Sequence, residues 1–172
     1  MKMDEKTPVE IERKYVIRIP DVKVLEEQEG YTVSKIFQTY LESEPSVTRR
    51  VRRRIYDGRT VYTETKKVRI DEISSYEDER EVSENEYMHL LCRKIPGTKT
   101  LAKTRHAFVC SGQTFEVDIY PDWKESCIME TELASRKTEV AFPPFITVIK
   151  EVSGDKKYSN AAMSHDFPKE LI

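Results

Sequence analysis

Cysteine is scarce in this chain and odd in number. Cys92, Cys110 and Cys127 lie far apart with no CxxC pair, which argues against a closed disulfide framework. They read as small buried hydrophobes of a reducing compartment. Histidine offers no metal site either, since no two of His89, His106 and His165 stand at ligand spacing. No apolar run approaches the ~20 residues of a membrane span. The opening MKMDEKTPVE lacks the apolar stretch of a secretory signal. These absences predict a cytoplasmic protein with no membrane partner. An excess of one charge is missing too: 29 Lys and Arg stand against 31 Asp and Glu, a net charge of -2. A general binder of duplex nucleic acid carries a basic surplus, so any polyanion site here has to be a local concentration of Lys and Arg. Linkers, low-complexity tracts and fixed-period repeats are absent. The 172 residues suit one domain, 1–172, with a core of its own.

The five glycines fall mostly where turns are expected. Asp57-Gly58 separates two β-like runs, a hairpin signal, and Ser111-Gly112 does the same between LAKTRHAFV and QTFEVDIY. Pro96-Gly97 closes a helical run, and Gly154-Asp155 marks a late turn. Ser83 followed by Glu86 is a capping-box pattern, and Tyr87, Leu90, Leu91 and Ile95 recur at helical spacing, predicting a helix over 83–95. A shorter helix is expected over 20–29, opening at Pro20, and a third around 160–164. The remainder reads as strands near 8–18, 33–42, 47–56, 60–69, 73–82, 99–110, 113–120, 127–134 and 145–152. Antiparallel strands joined by hairpins predict a sandwich or a barrel.

Successive strand side chains point to opposite faces, and here one face is charged. Glu10, Glu12 and Lys14 share a face, as do Arg50, Arg52 and Arg54, and then Glu64 and Lys66. Glu77, Glu79 and Glu81 alternate in the next strand, Lys103 and Arg105 after the long helix. Glu116 and Asp118 alternate against Phe115, Val117 and Ile119, and Glu130 and Glu132 against Met129, Thr131 and Leu133. The ordinary reading of such alternation is a solvated outer face. Two features weigh against it: the charges come in same-sign sets within a strand, and the uncharged polar residues that usually fill such faces are few. A barrel closed around these sets would enclose a wet tunnel with a cationic and an anionic part.

That lining suits phosphoryl chemistry, which asks a protein mainly for positioning and charge stabilisation. Arg and Lys neutralise phosphate oxygens, Arg two at a time. Carboxylates repel phosphate unless a divalent cation stands between them, and Mg²⁺ is commonly held by one or two carboxylates with phosphate oxygens and water. Opposite charges ~4 Å apart gain about 1 kcal/mol in bulk water and about 4 kcal/mol at an effective dielectric of ~20, so enclosure improves the same side chains as a site.

The stretch Glu10-Ile11-Glu12-Arg13-Lys14 is an ExExK motif, and it resembles the signature of the CYTH, or triphosphate tunnel metalloenzyme, superfamily. The motif is short, and the ordered series behind it makes the resemblance specific. RRVRRR at 49–54 resembles the family's RxR strand and TETKK at 63–67 its Thr-x-Lys strand. KTR at 103–105, EVD at 116–118, ETEL at 130–133 and EVSGDKKYSNA at 151–161 follow in family order. The resemblance implies an α+β, mainly β fold: a closed eight-stranded antiparallel β-barrel with a few flanking helices. It implies hydrolysis of a triphosphate with Mg²⁺ or Mn²⁺, inorganic triphosphate first, thiamine triphosphate hydrolysis and ATP cyclisation being other family activities. It implies metal ligands at Glu10, Glu12, Glu130 and Glu132, and substrate contacts at Lys14, Arg50, Arg52, Lys66, Lys103 and Arg105. Arg52 and Arg54 compete with Arg50 and Arg52 as the phosphate pair, because the loop after them is long for the family. Ser74-Ser75-Tyr76 stands where the family often has an Arg, which leaves the register of Glu77, Glu79 and Glu81 open to a shift of two.

Individual residues carry alternatives. Lys14 reads as a phosphate or metal-water contact, or as a partner of Glu12. Lys66 is preferred to Lys67 because it shares a face with Glu64 and Tyr62. Asp118 and Glu116 could hold a second metal, orient a water or buttress the arginines; the expected catalytic set is Glu10, Glu12, Lys14 and Asp118. Glu151 and Asn160 read as closing the barrel, and Trp123 as packing. A non-catalytic binder of polyphosphate or nucleotide is the reading from another class, and the retained acid pairs stand against it. Expected partners are a small-molecule triphosphate and at most a second copy of the chain, with no duplex nucleic acid.

Overall fold

Two tight turns set the pairing of half the sheet. Asp57 and Gly58 both take positive φ, 48° and 67°, and so do Ser111 and Gly112, at 51° and 73°, the twist that two-residue hairpins need. In the computed structural model, which describes residues 7–172, these turns join β3 (Thr48–Tyr56) to β4 (Arg59–Arg69) and β6 (Leu101–Cys110) to β7 (Gln113–Ile119). Residues 1–6, most of the opening segment read above for a signal, lie outside the described residues. With β1 (Val9–Arg18), β2 (Glu29–Leu41), β5 (Ser74–Val82) and β8 (Ser126–Glu132), the strands run β5-β4-β3-β2-β6-β7-β8-β1, all antiparallel. The ring closes where β1 meets β5 at Val9↔Tyr76, Glu10↔Ser75 and Ile11↔Ser74. Beyond that point the same edge of β1 pairs with a ninth strand, β9 (Val148–Glu151). The result is a closed eight-stranded barrel plus one strand.

The helices are shorter than the periodicity predicts. α1 (Val22–Glu26) is capped by Asp21, whose carboxylate accepts from the Lys23 amide, so the helix does not open at Pro20. Pairing of β2 with β6 begins at Glu29 and ends any continuation. α2 (Glu84–Leu91) has Ser83 as its cap, as expected, but stops before Ile95. The Ile95 amide donates to the Tyr40 carbonyl at 3.0 Å, which draws the chain back to the barrel. α3 (Asn160–His165) closes the set. No helix among the described residues is long and apolar enough to cross a membrane.

Three apolar clusters decide which strand face points in. Tyr15, Ile17, Phe108, Phe115, Val117, Cys127 and Met129 form the outer face of β1, β6, β7 and β8, packed with Leu25 of α1 and with Val140, Phe145 and Ile146. The segment 133–147 thus straps the outside, leaving the charged face inside. A second cluster fills one end of the barrel interior: Val16, Tyr40, Leu101, Tyr120 and Ile128 from the strands receive Trp123, Tyr158 and Met163. Trp123 packs there as expected and donates to the Pro168 carbonyl at 2.9 Å. Leu41, Val51, Val82 and Tyr87 form the third, seating α2 on the outer wall.

Gly154, in the turn after β9, has φ +73°, and a Cβ placed there would lie 2.8 Å from the Glu72 Cβ. Gly154→Ala is therefore expected to cost about 1–3 kcal/mol, from strain and the clash together. Urea unfolding against wild type measures it, and an unchanged midpoint would show that the β4–β5 turn yields freely.

Candidate active site

All eight barrel strands turn side chains into one cavity of about 840 Å³. Arg50, Arg52 and Arg54 from β3, with Lys67 and Arg69 from β4, make a cationic wall. β8 stands four strands from β3 either way round the ring, and with its neighbours it supplies the acids: Glu130 and Glu132, Glu10 and Glu12 from β1, and Glu116 from β7. Glu77 and Glu79 of β5 also line the cavity.

The acids are set against one another. Glu12 lies directly across from Glu132, and Glu116 from Glu130, where like charges destabilise a sheet. Burial first, then Glu77, pushes the Glu10 carboxyl up to about 8; burial first, then Glu130, pushes Glu12 up to about 7. Glu130 goes the other way. Burial works against its charge, but Lys14, Arg105 and Lys103 outweigh it and hold the carboxyl well below its ordinary range.

Cations between the acids account for that difference. Lys14 Nζ lies 2.9 Å from Glu130, and Lys67 Nζ lies 2.7 Å from Glu77. Arg105 grips Asp118 through Nε and Nη2 at 2.6 and 2.7 Å, reaches Glu130 at 3.1 Å and pairs with Glu116. The cationic wall is different. The Nε atoms of Arg50, Arg52 and Arg54 are buried with no hydrogen-bond partner among the described residues. Arg54 instead stacks its guanidinium 4.7 Å from the Tyr56 ring centre.

The structure brings together Glu10, Glu12, Lys14, Arg50, Arg52, Arg54, Arg105, Glu130 and Glu132 of the expected site. All three arginines of β3 face the cavity, so no pair has to be chosen. Glu77 and Glu79 face it without a shift of register, opposite Lys67 and Thr65, while Glu81 is exposed.

Three expectations are corrected. Lys66 stands outside the tunnel with Arg49 and Arg93, because the face it shares with Glu64 is the outer one; Lys67 points inward in its place. Asp118 has no exposed side-chain surface and does not line the cavity, and its oxygens are taken by Lys103 at 2.5 Å and by Arg105, so it buttresses those cations. Lys103 is equally enclosed, beneath the cavity rather than lining it, and burial pushes its amine down to about 8. Glu151 pairs outside with Arg13, and Asn160 accepts from the Tyr120 hydroxyl at 2.5 Å, both closing contacts. Gln38 and Tyr40 of β2, neither singled out in the sequence, stand opposite Arg52 and Arg50.

The donor set fits a hard divalent cation in charge and atom type, since carboxylate oxygens are the ligands of Mg²⁺ and Mn²⁺. Among the described residues no three acids gather tightly enough to form a metal site; Lys14, Arg105 and Lys67 hold Glu130 and Glu77 instead.

No protein-family model matches the chain, and no curated protein does. Among solved structures, that of the inorganic triphosphatase NE1496 is 26% identical, covering 93% of this chain and 97% of that one, with a TM-score of 0.57. The PH1819 protein from Pyrococcus horikoshii OT3 is 19% identical, covering 74% of this chain and 80% of that one, with a TM-score of 0.58. A conserved hypothetical protein from Pyrococcus furiosus is 23% identical at the same coverage, with a TM-score of 0.53. These last two share the fold. Barrel topology, the order of the charged strands and the likeness over nearly the whole chain are consistent with the CYTH, or triphosphate tunnel metalloenzyme, superfamily.

Proposed function

We propose that this chain hydrolyses a triphosphate inside its tunnel, inorganic triphosphate before others, to pyrophosphate and phosphate with Mg²⁺ or Mn²⁺. The observation that carries the reading is the like-charge pair Glu12 and Glu132, facing three arginines whose Nε atoms lack partners. Such an arrangement costs stability unless a cation and an anion complete it. The 26% identity to an inorganic triphosphatase supports the same reading.

Arg50, Arg52, Arg54 and Lys67, with Lys14 and Arg105, bind the phosphate chain and offset the charge that shifts during transfer. Glu10, Glu12, Glu130 and Glu132 would hold the metal. Bound there, the metal supplies charge neutralisation and polarisation of a phosphate oxygen. Glu116 of β7, with 35% of its side chain exposed and one oxygen paired to Arg105, would orient a water for in-line attack. No covalent enzyme intermediate is required. Tyr40 is the one aromatic residue among the described residues lining the cavity, and its hydroxyl accepts from Gln38. One engaged ring is a poor platform for a purine or a thiazolium, which favours inorganic triphosphate over ATP or thiamine triphosphate.

The test is phosphate release from each of these three compounds with Mg²⁺, Mn²⁺ or EDTA. Fast, EDTA-sensitive release that prefers inorganic triphosphate is expected. Tight binding without release from any of them would make the tunnel a polyphosphate-binding module.

A further inference from the structure

The paired cations of the tunnel, Lys14, Lys67 and Arg105, are held by carboxylates. Arg52 is held by a neutral group, and Arg50 has a neutral side chain, Tyr40, across from it. Gln38 has no exposed surface and stands directly across from Arg52, as Tyr40 does from Arg50. Arg52 Nη2 donates to Gln38 Oε1 at 3.2 Å, and Gln38 Nε2 donates to the Tyr40 hydroxyl at 3.1 Å. Arg50 stands across the ladder from that tyrosine. Arg52, Gln38 and Tyr40 thus form one hydrogen-bonded row along the wall, with Arg50 beside its tyrosine end.

The neutrality matters. A carboxylate in this place would grip a guanidinium more strongly than an amide does. It would also cancel part of the positive charge and compete with any anion arriving in the cavity. An amide has one acceptor and two donors, so it can fix Arg52 and Tyr40 at once while leaving both guanidinium groups charged. Their Nε atoms remain buried and unpartnered, which is uncommon for buried donors and suits a site awaiting an acceptor.

We propose that Gln38 and Tyr40 are positioning residues, a neutral brace that sets Arg50 and Arg52 side by side for an oxyanion without discharging them. This rests on the reading of the tunnel as a triphosphate site. Both residues act through the arginines and set affinity for the anion.

Gln38→Glu keeps size and shape while adding the charge. Calorimetry with inorganic triphosphate in EDTA, together with Mg²⁺-dependent kinetics, tests it. Binding is expected to weaken by at least ~10-fold and KM to rise by a similar factor, with kcat within ~3-fold, the pattern of lost uniform binding. The melting temperature is expected not to fall, because the new carboxylate pairs with Arg52. Tyr40→Phe, which removes one hydroxyl, is expected to weaken binding by ~3-fold or more with the same split. A merely structural role would lower melting temperature and kcat and leave KM alone, and that result overturns the brace. So does unchanged affinity in both variants beside a wild type that binds. A wild type that binds no triphosphate overturns the functional reading together with it. Should Gln38→Glu fail to fold, Tyr40→Phe decides by the same readouts.

Discussion

Glu12→Gln is expected to cut metal-dependent triphosphate hydrolysis by about 10²–10³-fold, the scale of losing one preorganised charge contact in an active site. Gln keeps the size and one acceptor oxygen but removes the charge that holds a divalent cation. Thermal stability in EDTA is expected to stay level or rise. In the protein as folded, Glu12 faces Glu132 across the ladder and lies close enough to Glu130 to feel its charge. Like charges so placed destabilise a sheet, and the substitution relieves them. Loss of activity joined to retained stability is the mark of a residue kept for function. Glu81→Gln serves as the control, since Glu81 is exposed and outside the cavity lining; it is expected to leave turnover unchanged. Wild-type turnover by the Glu12 variant would remove the metal-binding assignment.

Asp118→Asn is expected to destabilise the fold by about 3–5 kcal/mol, because breaking a buried pair leaves an uncompensated charge. Asp118 and Lys103 have no exposed side-chain surface, and Arg105 shares the same carboxylate. Asparagine leaves Lys103 without its counter-charge and Arg105 with only Glu116 and Glu130. Arg13→Ala gives the scale for comparison. The Arg13–Glu151 pair is open to solvent, 35% and 39% exposed, and its removal is expected to cost below about 1 kcal/mol. Urea unfolding of both variants at pH 7 measures the contrast, and similar costs would refute the buried-pair account. The pH dependence follows with its sign. Burial alone would raise the Asp118 carboxyl, but Arg105 and Lys103 outweigh it and hold it below its ordinary value. Its stabilising contribution is therefore complete above about pH 3.9, the ordinary Asp value, and is lost as pH falls through the lower folded value.

Turn chemistry carries a strand's face across to its neighbour. Asp57-Gly58 is a two-residue turn, and such a turn fixes register. It sets Tyr56 against Arg59, hence Arg52 against Thr63, Arg50 against Thr65 and Thr48 against Lys67. Residues directly opposite share a face, so once Arg50 and Arg52 point inward, Lys67 must as well and Lys66 cannot. Matching charges along β4 alone groups Lys66 with Glu64, whereas the face carried across the hairpin from Arg50 and Arg52 selects Lys67. The turn at Ser111-Gly112 likewise places Asp118 opposite Arg105, so their contact was legible too. Gln38 and Tyr40 gave no such signal. An amide and a phenol in an apolar strand resemble core packing until the arginines beside them are seen.

By itself the sequence determined that one face of nearly every strand is charged, which charges share a strand, and where the tight turns fall, because alternation and turn chemistry are local properties of the backbone. Whether that face points in or out is not local. It was decided by α1 and the 133–147 strap, which cover the apolar outer face from distant parts of the chain and leave the interior to the charges. Depth was decided in the same way. Glu116 and Asp118 sit two residues apart on one face, yet 35% of the first side chain is exposed and none of the second. The apolar cluster that fills one end of the barrel begins just past Asp118, at Tyr120. Closure of β1 onto β5 joins residues more than sixty positions apart. Only the assembled ring turned rows of like charge into one site.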